Sequence, residues 1–465
     1  MLSEGQAGEM FSRIKKFASA DEVEVLFYST ANALTRFANN VIHQNMAEEN
    51  VVVSVRTAFG RRTARATTNK LDDESLKRVV EASQKLARVQ QADEDLLPMP
   101  GGAGRTGESL VRTQASPTRY FVETAGITAE DRAATVEKIV GVAKKNSLTT
   151  AGVVASSAAV EGIFNSRGLA EWHEQTASEI SITMLGEDSS GWQKANSPDA
   201  SQLNAVSLAE IAAEKARRSA GPREIPAGKY TVILEPAAVL DMVGFMFYDF
   251  GGLAILDQRS FLNNRVGTKV FGENVDIWDD VAHPLQSGAE FDGEGVRRQK
   301  VQLVEKGVVK QLVYARASAE RMQRSEYKDK VGPIAATGHG FSLPNEIGEA
   351  PMNIVFGAPA NPQTIAQMVA STERGILVTR LWYIREVDPY EKILTGMTRD
   401  GTFLVEDGTI QGGVLNFRFN ESLIHLLSNV EAMGTLVRAS GEESFDMVVP
   451  AMKVREFNFA EVTRF

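Results

Sequence analysis

The chain has 465 residues, 43% of them hydrophobic, with 50 Lys and Arg set against 60 Asp and Glu for a net charge of −10. So acidic a balance argues against nucleic-acid binding, which wants a basic face, and the lack of any cysteine excludes disulfides, thiolate metal sites and cysteine nucleophiles. The length predicts about three domains, expected in the cytoplasm and without membrane association.

Met1 to Ala20 contains acidic residues and no long apolar run, so it does not read as a secretory leader. A first unit spans residues 1–92. Glu22 to Ser29 alternates apolar and charged residues, as a half-buried strand does. Val51–Val55 and Thr63–Thr67 flank Phe59-Gly60-Arg61-Arg62, which predicts a hairpin. Leu76, Val79, Val80, Leu86 and Val89 then recur at helical spacing behind Asp72 or Asp73 as N-cap.

Residues 93–117 read as a linker rich in Gly, Pro, Ser and Thr. Within it, Gly102-Ala-Gly104-Arg-Thr-Gly107 fits G-x-G-x-x-G, but Leu97-Pro-Met-Pro100 precedes it where a phosphate loop needs a strand. A second unit spans 118–220. Thr128 and Asp131 form a capping-box pair opening a helix to about Asn146. Strand-like segments follow at 152–156, 160–165 and 170–185, and a second box, Ser207 with Glu210, opens a helix ending near Ala220. The two units look like a weak duplication, because Leu34-Thr-Arg-Phe37 and Glu161-Gly-Ile-Phe164 occupy like places.

The third unit, 224–465, is β-rich. Lys229–Leu234 reads as a strand. Pro236 to Phe250 reads as a helix, started by proline and followed by Gly251-Gly252. Its Leu240, Val243, Phe245, Met246 and Phe247 suit a core or a partner. The apolar stretch 237–256 is broken by Asp241 and Asp249, which argues against a membrane span. Leu303–Gly307 and Leu404–Gly408 predict two hairpin turns, and Asn420 to Gly434 predicts a capped helix. The fold class expected is therefore α+β, with two small α/β units ahead of a large β-rich domain.

Several segments of this third unit resemble the TldD/PmbA family. They are Arg259-Ser-Phe-Leu262, Phe291-Asp-Gly-Glu-Gly295, Phe341-Ser-Leu-Pro-Asn345, Gly375 to Arg385, Leu394 to Phe403 and Asn416 to Ser422. The resemblance implies a peptidase system acting on unstructured peptides, in which a zinc-bearing TldD subunit pairs with a TldE/PmbA subunit. It places the zinc ligands on an HExxxH helix and on a cysteine near the C-terminus. Here the matching helix, 235–250, holds no histidine, and Leu436 to Ser444 holds no cysteine. The five histidines, at 43, 173, 283, 339 and 425, are scattered. The expectation is thus a TldE/PmbA-like member with no catalytic residue, no metal and no cofactor, partnered by a TldD-type subunit or by itself. The alternatives are a homodimeric peptide-binding protein without catalysis and a peptidase with an unrecognised site.

Other clusters carry polar groups close together in sequence. Asp279, Asp280 and His283 are near enough in sequence to ligate a metal, but a solvated loop ending at Pro284 reads better. His339, between two glycines, is a candidate to hydrogen-bond a peptide. Arg380, Trp382, Tyr383 and Arg385 alternate on a predicted strand whose face suits a peptide or partner. Thr398, Arg399 and Asp400 lie near a turn and offer groups to a peptide backbone. The candidate substrate-binding residues are therefore His339, Arg380, Tyr383, Thr398 and Arg399.

Overall fold

The computed structural model describes residues 1–102 and 117–463. Gly104 and Gly107 of the glycine pattern, and most of the linker, lie outside the described residues.

The N-terminal half repeats one arrangement twice. In the first repeat α1 (Glu4–Phe17), β1 (Glu22–Ala38), β2 (Val41–Phe59), β3 (Arg62–Thr68) and α2 (Asp73–Val89) follow in order. After a single turn of helix, α3 (Val122–Ala125), the second repeat runs α4 (Ala129–Lys145), β4 (Thr149–Asn165), β5 (Ala170–Leu185), β6 (Ser190–Ser197) and α5 (Ala205–Arg218). Asn39 and Asn40 both take left-handed φ, 50° and 64°, which suits the tight β1–β2 turn to the twist of its strands. Asp72 caps α2 and the Thr128/Asp131 box caps α4, satisfying helix-end amides that have no internal acceptor.

All six strands form one antiparallel sheet, ordered β3-β2-β1-β4-β5-β6. The repeats join along β1 and β4, with Phe27 opposite Gly162 and Leu34 opposite Ala155. That pairing carries each repeat's first strand across the other's core. Phe37 of β1 packs with Val136, Ile139, Ala209 and Ala213 of the second repeat's helices. Phe164 of β4 packs with Val25, Phe27, Leu76 and Val80 of the first. Val25, Phe27 and Phe37 share the parity of a pleated strand, so both cores lie on one face. The other face meets the third unit, where Leu26, Ile163 and Leu169 contact Ala289 and Phe291.

In the third unit β7 (Gly228–Leu234) lies between the Arg374–Asp388 and Met452–Val462 strands. Phe417–Ser422, Ile393–Glu406 and Thr409–Gly413 follow in the same sheet, and Ile393–Glu406 pairs back with Arg374–Asp388. Five strands therefore close on themselves, which removes their edges. A second sheet runs Val308–Val309, Val301–Glu305, Ile277–Asp279, Ile354–Phe356, Met447–Val449 and Val437–Ala439. The chain leaves β7 into α6 (Pro236–Val243), whose Leu240 and Val243, with Met246 and Phe247 after it, are fully buried in the main core.

The fold differs from the sequence reading in four places. Residues 152–156 and 160–165 belong to one strand, β4, because β1 pairs with it without a break from Gly152 to Asn165. The last N-terminal helix is capped by Asn204, whose side chain accepts from the Ser207 amide, and not by Ser207 with Glu210. Asn420–Gly434 is not one helix: Phe417–Ser422 is a strand, only Leu423–Ser428 is helical, and Val430–Met433 pairs with Met452–Val454. The helix at Pro236 is α-helical to Val243 and tightens to 3-10 through Phe250. No helix among the described residues is long and apolar enough to cross a membrane.

Candidate functional site

The Arg374–Asp388 and Ile393–Glu406 strands are paired but irregular, with register shifts between Val378 and Arg380 and between Trp382 and Arg385. Tyr383 and Asp400, one on each strand, take left-handed φ of 54° and 52°. Non-glycine residues hold that conformation at a cost, and such strain gathers at functional sites. The bulges re-aim the neighbouring side chains.

Beside this irregular stretch lies a cleft of about 670 Å³, walled by the 185–190 turn of the N-terminal sheet, by Trp382, by 397–402 and by Asn416. Arg380 lies behind its Asp400 wall. It is buried, gives two hydrogen bonds to the Asp400 carboxylate, the Nε one at 2.8 Å, and stacks 4.8 Å from the Trp192 ring and 5.7 Å from that of Trp382. Arg399 covers the other face of this group, 4.6 Å from the Trp382 ring and 3.5 Å from Asp400. Two cations and two indoles thus alternate around one carboxylate, a stack favoured by ring quadrupoles and guanidinium planarity. Arg399 is part-exposed and remains available to a carboxylate or carbonyl. Thr398 is held inward: its hydroxyl donates to Asn416 Oδ1 at 3.3 Å and accepts from the Phe417 amide at 2.9 Å.

Tyr383 turns away from the cleft, half exposed, under the Arg385 guanidinium at 4.3 Å. Its amide donates to Glu443 Oε1 at 2.7 Å. Glu443 belongs to the loop 440–446, which α6 holds through Asp241: the amides of Glu442 and Glu443 donate to Asp241 Oδ1 at 3.1 and 3.0 Å. Asp241 Oδ2 is buried without a partner. Burial pushes this carboxyl up to about 7.

Helix α6 and the segment before Ser444 are the two places where the resemblance puts a zinc site, and the fold does bring them together. Where they meet, the Asp241 carboxylate is engaged by two amides, Glu442 pairs with Lys194 and Glu443 accepts from the Tyr383 amide. No group of three or more His, Cys, Asp or Glu side chains converges among the described residues. A catalytic zinc needs about three protein ligands, so the residues present do not fit it.

Of the five candidate residues, Thr398 and Arg399 line the cleft, Arg380 backs it through Asp400, and Tyr383 lies on the same strand as the lining residue Trp382. His339 stands apart. It is fully buried in the third unit, with Nε2 3.0 Å from Asp279 Oδ1 and Nδ1 2.9 Å from Thr337 Oγ1, so a peptide cannot reach it. The same pairing corrects the 279–283 loop: Asp279 is buried, not solvated, and its other oxygen accepts from the Met352 and Asn353 amides. Asp280 pairs with Lys300 at 2.9 Å and His283 accepts from the Leu285 amide, so the three do not converge. Trp192, Asp241 and Glu443 were missed as site residues. Only Asp241, an acid inside an apolar helix, carried a signal.

The PmbA/TldA metallopeptidase C-terminal domain matches residues 227–461 and domain 1 of the same family matches 23–87. Metalloprotease PmbA of Escherichia coli O157:H7 is 22% identical over 84% of this chain and 83% of that protein. The uncharacterized protein MJ0231 of Methanocaldococcus jannaschii is 27% identical over 38% of this chain and 42% of its own. The chain thus spans less than half the length of this archaeal relative. Among solved structures, TldE from Thermococcus kodakarensis has the same fold, with a TM-score of 0.83 at 19% identity over 98% of this chain and all of that one. With over half of its residues matched by one family domain, the chain belongs to the PmbA/TldA metallopeptidase family.

Proposed function

We propose that the chain is a metal-free, TldE/PmbA-like subunit of a TldD-type metallopeptidase that processes unstructured peptides in the cytoplasm. Its partner supplies the zinc. This chain helps enclose the reaction chamber and shapes substrate access, with the Arg380–Trp382–Arg399 cleft contacting peptide main chain and carboxylates. It pairs with the TldD-type subunit as a heterodimer and with itself when alone.

One observation carries this reading. Helix α6 and loop 440–446 keep the close approach that a shared metal would require, yet Asp241 ties them by hydrogen bonds to amides. The frame of a peptidase is retained where its ligand set is not. The test combines elemental analysis with a mixing assay. After dialysis the purified chain is expected to hold no stoichiometric zinc and to leave an unstructured peptide intact. Adding a TldD-type subunit should give chelator-sensitive cleavage that neither protein shows alone. One tightly held zinc per chain, or chelator-sensitive cleavage by this chain alone, would overturn the proposal.

A further inference from the structure

Helix α5 buries one face in its own repeat, where Ala209, Ala212, Ala213 and Ala216 join the core. The opposite stripe, Ile211, Glu214, Lys215 and Arg218, has the same i, i+3, i+4, i+7 spacing. It faces the third unit across a cleft of about 580 Å³. The far wall is apolar. Ile365 and Val369 come from the Ile365–Ala370 helix, Leu377 and Phe403 from the Arg374–Asp388 and Ile393–Glu406 strands, and Ile410 from Thr409–Gly413. All five belong to a small core separate from the main one, so the cleft exposes the edge of a packed cluster. Its size lies within the range of about 300–1,000 Å³ of small-molecule sites, which favour seams between structural units.

The polar groups select the ligand. The charged side chains that line the cleft, Glu214, Lys215, Arg218 and Glu235, are already paired. Lys215 Nζ gives its three hydrogens to Glu235 Oε2 at 2.7 Å, Gln193 Oε1 at 3.0 Å and the Trp192 carbonyl at 3.2 Å. Arg218 pairs with Glu214 at 2.6 Å, both half exposed at the rim. The lining is therefore neutral in sum, and a charged head would enter without a counter-charge of its own. One capacity is spare. The mostly buried Glu235 carboxylate accepts from Lys215 and, at 3.3 Å, from Thr379 Oγ1, whereas a carboxylate offers about four acceptor sites. It has no further donor among the described residues.

We infer that this cleft binds a neutral small molecule with an aliphatic body and one N–H or O–H donor at its end. The donor meets Glu235, and the body lies against Ile211, Val369 and Phe403. Because α5 belongs to the N-terminal half and the far wall to the third unit, the bound molecule ties the two together. The site stands apart from the peptidase reading: it needs no zinc, no partner subunit and no peptide.

The test is an NMR titration of the full chain, labelled at its isoleucine methyls, with octanamide as the probe. Saturable shifts are expected at the methyls of Ile211, Ile365 and Ile410. Octanoate, with the same length of tail and a charged head, should bind about tenfold or more weakly. Ala366→Trp, at an exposed position on the cleft wall, should abolish the shifts by filling the space, and circular dichroism verifies that the variant is folded. Ile211→Trp on the facing helix should do the same, read at the other two methyls, so the result does not hang on one variant. Octanoate binding as tightly as octanamide, or octylammonium binding more tightly, would overturn the neutral head. Unchanged binding by both filled variants would put the probe elsewhere and overturn the site. No saturable shift at any of the three methyls would overturn the ligand class. None of these outcomes alters the zinc analysis or the mixing assay, so the two proposals fail separately.

Discussion

Replacing Asp241 by Asn should change how stability depends on pH. The carboxyl is fully buried and burial moves it from an ordinary 3.8 to about 7, which corresponds to about 4 kcal/mol of disfavoured ionisation. Below pH 4 the group is protonated whether the chain is folded or not, and it costs nothing. Between about pH 4 and 7 the folded chain keeps a proton that the unfolded chain has released, so stability falls by about 1.4 kcal/mol for each pH unit upward. Above pH 7 both forms are ionised and the loss is complete. Asn keeps an oxygen for the Glu442 and Glu443 amides and cannot ionise. The variant should match the native chain near pH 4 and exceed it at pH 8, by up to roughly 10 °C in melting temperature for a domain of this size. The assay is thermal melting of both proteins from pH 4 to 8. Glu294, pushed up to about 7 chiefly by burial, contributes the same slope to both, so their difference isolates Asp241. Parallel profiles, or a variant that melts lower at pH 8, would refute the assignment of the buried charge.

Two further outcomes follow from the packing. Asp400→Asn strands the buried Arg380 without its counter-charge and should cost about 3 kcal/mol or more in denaturant unfolding, with a change in tryptophan emission because Arg380 stacks on Trp192 and Trp382; an unaltered midpoint and spectrum would count against the stack. Phe37→Ala should cost about 3–5 kcal/mol, and because Phe37 sits in the second repeat's core, hydrogen exchange should accelerate in α4 and α5 more than in α1 and α2. Faster exchange confined to the first repeat would contradict the crossed cores.

The elements set by neighbours in sequence were legible. Asp72 and the Thr128/Asp131 box mark helix starts because a cap acts on amides two or three residues away. The Phe59–Arg62 turn and the two Leu-Val-Glu hairpins are likewise local. The likeness of Phe37 and Phe164 was visible as pattern, since each ends a first strand before a tight turn, and that pattern hinted at the duplication. The run Leu423-Ile-His-Leu-Leu427 also looks helical, and it is, but only for six residues. Pairing of Phe417–Ser422 and Val430–Met433 with distant strands limits it, and the Gly434 amide bonds the Ala451 carbonyl instead of ending a helix.

The sequence by itself determined the composition of each layer, the ends of most elements and the absence of a histidine pair or cysteine at the places where the family resemblance expects zinc ligands. Only the tertiary structure decided that Phe37 and Phe164 exchange cores, that Trp192 stacks on Arg380 from 188 residues away, and that His339 is sealed against Asp279. The reason is range. Caps, turns and pleat parity act within a few residues, so the chain states them in order. Ion pairs, ring stacks and strand edges depend on which segments the fold makes adjacent, and sequence separation carries no record of that.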